Sequence, residues 1–102
     1  MHYKTEIKRT TNHNKIMDWA KNRNGKPVRL PKVNENEPGL GPIKIHFPED
    51  NEEFEEITWN EFLDDFEKKK LQMIYQEDTE EGKPSYFYLL EKRHPENSFV
   101  QS

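Results

Sequence analysis

The sequence predicts one small α+β domain, on three observations. Its 102 residues suit a single ordinary domain. Two segments show the 3.6-residue apolar rhythm of helices, and each holds a tryptophan. Each is followed by two runs of strand-like composition. The implied order is helix, strand, strand, helix, strand, strand. A mostly antiparallel sheet with both helices on one face is the simplest two-layer solution. Residues 1–10 are expected as a flexible arm, 11–93 as the domain and 94–102 as a loose tail. Within the arm, Tyr3 and Ile7 offer a weaker alternative, a short edge strand.

The first helix is expected over 12–23. Thr11 is the natural N-cap, because its hydroxyl can accept an orphan N–H of the first turn. Ile16, Trp19, Ala20 and the stem of Arg23 follow the i, i+3, i+4, i+7 spacing. Gly25 is the expected left-handed stop, and Pro27 bars continuation. P-V-R-L-P then reads as a short strand, with Val28 and Leu30 on one face. Its flanking prolines favour an edge position. Residues 32–41 are polar and turn-rich, hence a loop.

In I-K-I-H-F the alternation turns Ile43, Ile45 and Phe47 inward and Lys44 and His46 outward. Residues 49–56 read as an acidic loop, with Phe54 as its anchor. T-W-N-E at 58–61 is a capping box, with Ile57 and Phe62 as its hydrophobic staple. Trp59, Phe62, Leu63, Phe66 and Lys70 mark the stripe of this second helix. A hairpin of 71–76 and 86–91 closes the domain around a turn with Gly82 and Pro84. The order hints at a two-fold repetition of helix plus two strands.

Composition narrows the function classes. Apolar residues make up 30% and charged residues 35%, close to the boundary with disordered chains. The aromatic content of 12% favours a core. Cysteine is absent, which removes disulfides, thiolate metal sites and cysteine nucleophiles. A secretory h-region and a membrane-length apolar run are both missing, so a soluble cytoplasmic protein is expected. The net charge of −4 hides an asymmetry. Residues 1–33 carry a net +7, residues 34–82 a net −12 and residues 83–102 a net +1. Such polarity either orients a partner or attracts the two parts of the chain to each other.

The motifs give little chemistry. Phosphate-cradling glycine loops, G-x-S-x-G and a Ser-His-Asp arrangement are absent. The histidines lack metal-ligand spacing, and the acidic run 49–56 lacks the glycine of a calcium loop. No catalytic, metal or cofactor residue is assigned. Two surfaces remain. Lys15, Lys21, Arg23, Lys26, Arg29 and Lys32 could form a basic patch for a polyanion. In the closing hairpin, Tyr86 and Tyr88 share one face with Leu90, while Phe87 and Leu89 take the other. Whichever set is not core leaves an apolar patch for a partner or a second copy.

T-N-H-N-K-I-M-D-W-A-K-N-R-N-G-K-P, P-I-K-I-H-F-P and I-T-W-N-E-F followed by L-Q-M-I-Y-Q-E resemble a family of small uncharacterised bacterial proteins. The family pattern is T-x-H-x-x-I-x-x-W-A, then I-[ST]-W-x-E-F, then L-x-x-x-Y-Q-E, and the match spans roughly 11–92. This chain departs from it at Asn24-Gly25, where a Gly-Gly pair is common, and at Val28-Arg29-Leu30. Members are often labelled 1,4-α-glucan branching enzymes. That activity belongs to a (β/α)₈ barrel of about 250 residues, more than this chain holds. The resemblance therefore implies a fold and a possible link to glucan metabolism. The expected function is a non-enzymatic interaction module for a protein or polyanion. The alternatives are a nucleic-acid-associated protein and an accessory of glucan metabolism.

Overall fold

The computed structural model describes residues 5–32, 36 and 40–93. The expected loose tail, 94–102, lies outside them. The elements are β1 (Ile7–Thr10), α1 (His13–Lys21), β2 (Lys26–Arg29), β3 (Ile43–His46), β4 (Glu55–Glu56), α2 (Trp59–Lys68), β5 (Leu71–Gln76) and β6 (Tyr88–Lys92). The domain is α+β and its strand pairs are antiparallel. Where the sequence suggested one sheet, the strands divide between two. The first sheet has the order β1-β5-β6 and the second β3-β2-β4.

This division makes the hinted repetition concrete. β1-α1-β2-β3 and β4-α2-β5-β6 are two halves of one βαββ order. Each sheet takes a hairpin from one half and its remaining strand from the other. The registers correspond as well. Val28 faces Lys44 and Glu56, as Ile74 faces Leu89 and Arg9. Lys26 faces His46, as Gln72 faces Glu91. Beyond the hairpins, the N–H of Leu30 donates to Pro42, as that of Gln76 donates to Phe87. Both helices lead into their strands through a left-handed residue, Asn24 (φ 59°) or Lys70 (φ 54°). These stand equally far from the N-caps, Asn12 and Thr58.

Both helices form largely for the expected local reasons. α2 has its full capping box, in which Thr58 accepts from the Glu61 N–H while the Glu61 carboxylate accepts from the Thr58 N–H. In α1 the cap is Asn12, not Thr11, and its side chain accepts from the Lys15 N–H. The planar amide one residue later makes the same bond. α1 stops at Lys21, and Asn24 takes the left-handed conformation expected of Gly25. Gly25 is needed for space instead. A Cβ there would meet the Ile45 side chain at 2.7 Å and the Phe47 ring at 2.9 Å. α2 ends at Lys68, so Lys70 leaves the helical stripe and turns the chain.

Three further differences have physical causes. Ile7–Thr10 is not an arm: it pairs with Met73–Gln76, the last four residues of β5, which supply the ladder its own sequence does not advertise. β2 is central and not an edge, despite Pro27. β4 stops at Glu56, so the donor that Pro27 lacks falls where the ladder ends, and the Pro27 carbonyl still accepts from Ile57. The expected acidic loop contributes that two-residue strand, Glu55–Glu56.

One core joins the layers. Ile16, Trp19 and Ala20 of α1 meet Phe62, Leu63 and Phe66 of α2, Ile43 and Ile45 of β3, and Met73 and Tyr75 of β5. Trp19 sits at its centre, edge-on to Phe47 and Tyr75. Its indole N–H donates to the Gln76 carbonyl at 3.0 Å. Tyr88 ties the two sheets. Its hydroxyl accepts from the Ile45 N–H at 3.0 Å and donates to the Ile45 carbonyl at 3.1 Å.

Candidate binding surface

Part of the basic first third is paired within the molecule. Among the described residues, Lys8, His13, Lys26 and Arg29 pair with Glu77, Glu67, Glu56 and Asp65. The charge asymmetry of the sequence therefore works as attraction between parts of one chain. Of the six basic candidates, Arg23 is buried. Its guanidinium donates to the carbonyls of Ser85, Trp19 and Glu77 and lies 4.3 Å from the Trp19 ring centroid. Burial lowers its pKa, against the opposing pull of Glu77 and Asp78. Arg29 is similarly enclosed, bonded to Asp65 at 3.3 Å and to the Gly41 carbonyl at 2.8 Å. Lys26 sits over the Phe54 ring and beside Glu56. Lys32 is half-buried and has a partner of its own. Lys15 and Lys21 remain exposed on α1.

The tyrosine candidates separate. Tyr86 is 55% exposed and rests edge-on against Phe47 at 5.1 Å. Tyr88 is the tie between sheets just described. Burial pushes its phenol up to about 12, despite the hydrogen bond from Ile45.

His13 joins the helices. Its Nε2 lies 2.7 Å from Glu67, which also accepts from Arg93 at 2.9 Å. These bonds, first from His13 and then from Arg93, hold the Glu67 carboxyl below its ordinary value. Arg93 continues to the Leu71 carbonyl and over the Phe66 ring. The set fastens the start of α1 to the end of α2.

Metal-ligating atoms of His46, Asp50 and Glu52 fall within 4.8 Å of one another. The Lys44 ammonium already stands among them, 2.6 Å from Glu52 and 3.4 Å from Asp50. Burial opposes its charge, but the bonds and charges of Glu52 and Asp50 outweigh that and raise its pKa. Glu52 is lowered chiefly by the Lys44 hydrogen bond. A cation is thus built into the cluster, where a metal would have to displace it. Among the described residues, no buried side-chain nitrogen or oxygen lacks a partner.

The outer faces of the two sheets differ most. In the second sheet the outer face carries Lys26, Val28, Lys44 and His46. The 48–54 loop covers it. The Phe54 ring lies tilted against His46, centroids 4.2 Å apart, Glu52 and Asp50 hold Lys44, and Val28 is fully buried. His46, expected outward, is on that face but only 6% exposed. In the first sheet the corresponding face carries Arg9, Gln72, Ile74, Leu89 and Glu91, with Ile7 and Phe87 at its end. Ile7 is 58% exposed, Leu89 48% and Phe87 41%. Ile7, Ile74 and Leu89 thus place exposed or half-exposed apolar side chains on the same face of β1, β5 and β6, with Phe87 just before β6. Period-two alternation had placed Phe87 and Leu89 together, opposite the tyrosines, and Ile74 opposite Met73. Ile7 was missed, because its partner strand is distant in sequence.

Compared with protein-family models, curated proteins and solved structures, the chain matches none. Among the described residues, no helix is long and apolar enough to cross a membrane.

Proposed function

We propose that this chain is a non-enzymatic interaction module of the cytoplasm that binds a protein partner through the outer face of the first sheet. The observation that carries the reading is that Ile7, Phe87 and Leu89 are exposed and Ile74 half-exposed on one face of the first sheet, whereas the other exposed apolar side chains among the described residues, Leu40 and Tyr86, lie elsewhere. Contiguous exposed apolar area of this kind marks partner surfaces more often than inert ones. The polyanion alternative finds less support, because Arg23, Arg29 and Lys26 are already engaged.

The test compares three forms of the full chain as affinity baits in nuclease-treated native extract: wild type, Leu89→Asp, and the pair Lys15→Glu with Lys21→Glu. Any protein retained is then purified and its affinity measured by calorimetry. The reading expects one defined protein whose affinity falls at least tenfold with Leu89→Asp and holds with the lysine changes. Loss with the lysine changes and with added salt, but not with Leu89→Asp, would replace it with the nucleic-acid or polyanion reading. A glucan-linked role, which rests on the resemblance, would use exposed Tyr86 as a stacking face. Aromatic fluorescence unmoved by millimolar maltooligosaccharide removes that role.

A further inference from the structure

The outer face of the first sheet has a pattern of charge as well as of apolar side chains. Its positions fall in rows across the strands. Ile7, Gln76 and Phe87 make one row, Arg9, Ile74 and Leu89 the next, and Gln72 and Glu91 stand in a third. β1 and β6 are the two edges of the sheet. The face therefore has a cation on one edge, a carboxylate on the other and no net charge. Arg9 and Glu91 are both exposed, and among the described residues neither side chain has an ion-pair partner. This sets them apart from Lys8, Lys26, Arg29, Lys44 and Arg93, each paired with a carboxylate of its own chain. Arg9 and Glu91 of one chain are too far apart to pair. Two strand spacings, about 10 Å, and two residues along the strand, about 7 Å, separate their backbones.

A two-fold axis supplies what one chain lacks. A second copy can stack face to face with the first, about an axis parallel to the strands and midway between the two β5 strands. Rows are then preserved and edges are exchanged, so β1 of each copy lies over β6 of the other. Ile7 meets Phe87 of the second copy, and Ile74 meets its own counterpart at the axis. Arg9 lies over Leu89 of the second copy, one row, about 7 Å, from Glu91. Its apolar stem covers the leucine while its guanidinium reaches the carboxylate. The contact occurs twice, as in any isologous interface. Aligned sheets about 10 Å apart are the ordinary geometry of a β-sandwich. An axis perpendicular to the strands would instead set Arg9 on Arg9 and Phe87 on Glu91.

We propose that the occupant of this face is a second copy of the chain, packed about a two-fold axis parallel to the strands, with Ile74 at the centre and an Arg9–Glu91 pair on each side. The inference rests on the reading of that face as a protein-binding surface and names its partner. Three rows on three strands cover roughly 300 Å² of sheet. That is less than the roughly 800 Å² per partner of standard interfaces, so the pair forms reversibly, at micromolar to millimolar concentrations.

Sedimentation equilibrium of the full chain over that range tests it. The wild type is expected to dimerise. Arg9→Glu alone, or Glu91→Arg alone, sets like charges together twice and should weaken the dimer by about tenfold or more. The double variant should restore it. Mixing the two single variants should yield a heterodimer, because one chain then carries two carboxylates on this face and the other two guanidinium groups. A wild type that stays monomeric up to millimolar concentration would overturn the proposal. So would a dimer indifferent to these charge changes. Leu89→Asp separates this inference from the reading beneath it. A monomeric chain that captures a different protein, and loses it with Leu89→Asp, sinks the second copy and keeps the face as a binding surface. A wild-type dimer that Leu89→Asp leaves intact, with no other protein lost from this face, sinks both.

Discussion

The two halves share a topology and a register but seal their sheets by different means. The second sheet is closed by charge: Lys44 between Asp50 and Glu52, with Phe54 laid on His46. The first sheet keeps an open apolar face at Ile7, Phe87 and Leu89. The cores differ in the same way. Ala20 of α1 and Phe66 of α2 occupy equivalent positions, both fully buried. α2 therefore supplies bulk where α1 leaves room, and the unequal halves interlock as one core. Duplicated backbone geometry thus does not dictate duplicated surfaces. One face is covered by the 48–54 loop, and the other keeps apolar side chains exposed.

The largest expected effect tests that unequal filling. Phe66→Ala should cost about 3–5 kcal/mol, as for other buried aromatic truncations. Urea unfolding followed by Trp fluorescence would measure it. A loss below about 1 kcal/mol would mean that the halves do not depend on α2 for bulk.

The tie between the sheets comes next. Tyr88→Phe removes both bonds to Ile45 and should cost about 1–3 kcal/mol. The phenol also makes the fold sensitive to alkali. Its folded pKa is raised from 10.0 to about 12, so the fold favours the neutral form. That stability is fully present below pH 10 and is lost as pH rises from 10 to about 12. The loss amounts to roughly 3 kcal/mol, and Tyr88→Phe should abolish this step of the pH profile.

Val28 and Ile74 compare the two outer faces directly. Val28→Ala should cost about 2 kcal/mol, because its side chain is fully enclosed. Ile74→Ala removes more carbon but should cost only about 1 kcal/mol, because Ile74 is half-buried. An equal or greater loss at Ile74 would show that its face is covered in solution.

The smallest effects concern the turns after the helices. Lys70→Gly should stabilise by about 0.5 kcal/mol, since a left-handed lysine is strained. Asn24→Gly should gain less, because asparagine tolerates that conformation. Thermal melts of the two variants would rank them.

Much of this molecule was legible residue by residue. The capping box at Thr58, the inward set Ile43, Ile45 and Phe47, the Phe54 anchor and the split of the closing hairpin into two faces all follow from local spacing. They are set by bonds and alternation within a few residues. The site was half legible. Phe87 and Leu89 shared a face on paper, but whether that face was core depended on which neighbours arrived. Arg23, Arg29 and Tyr88 looked like free polar side chains and proved to be internal ties. A residue's type does not disclose whether carbonyls from distant strands will surround it.

By itself the sequence determined the helices, most of the strands, the α+β class and the separation of charge along the chain. These depend on periodicity, capping and composition, which act locally. The tertiary structure alone decided that there are two sheets, that the halves exchange strands, and that Lys8, Lys26 and Arg29 of the basic third meet carboxylates of the acidic middle. It also decided which hairpin face stays open. Those outcomes depend on long-range pairing, where many registers satisfy the same local pattern and packing of the whole selects one.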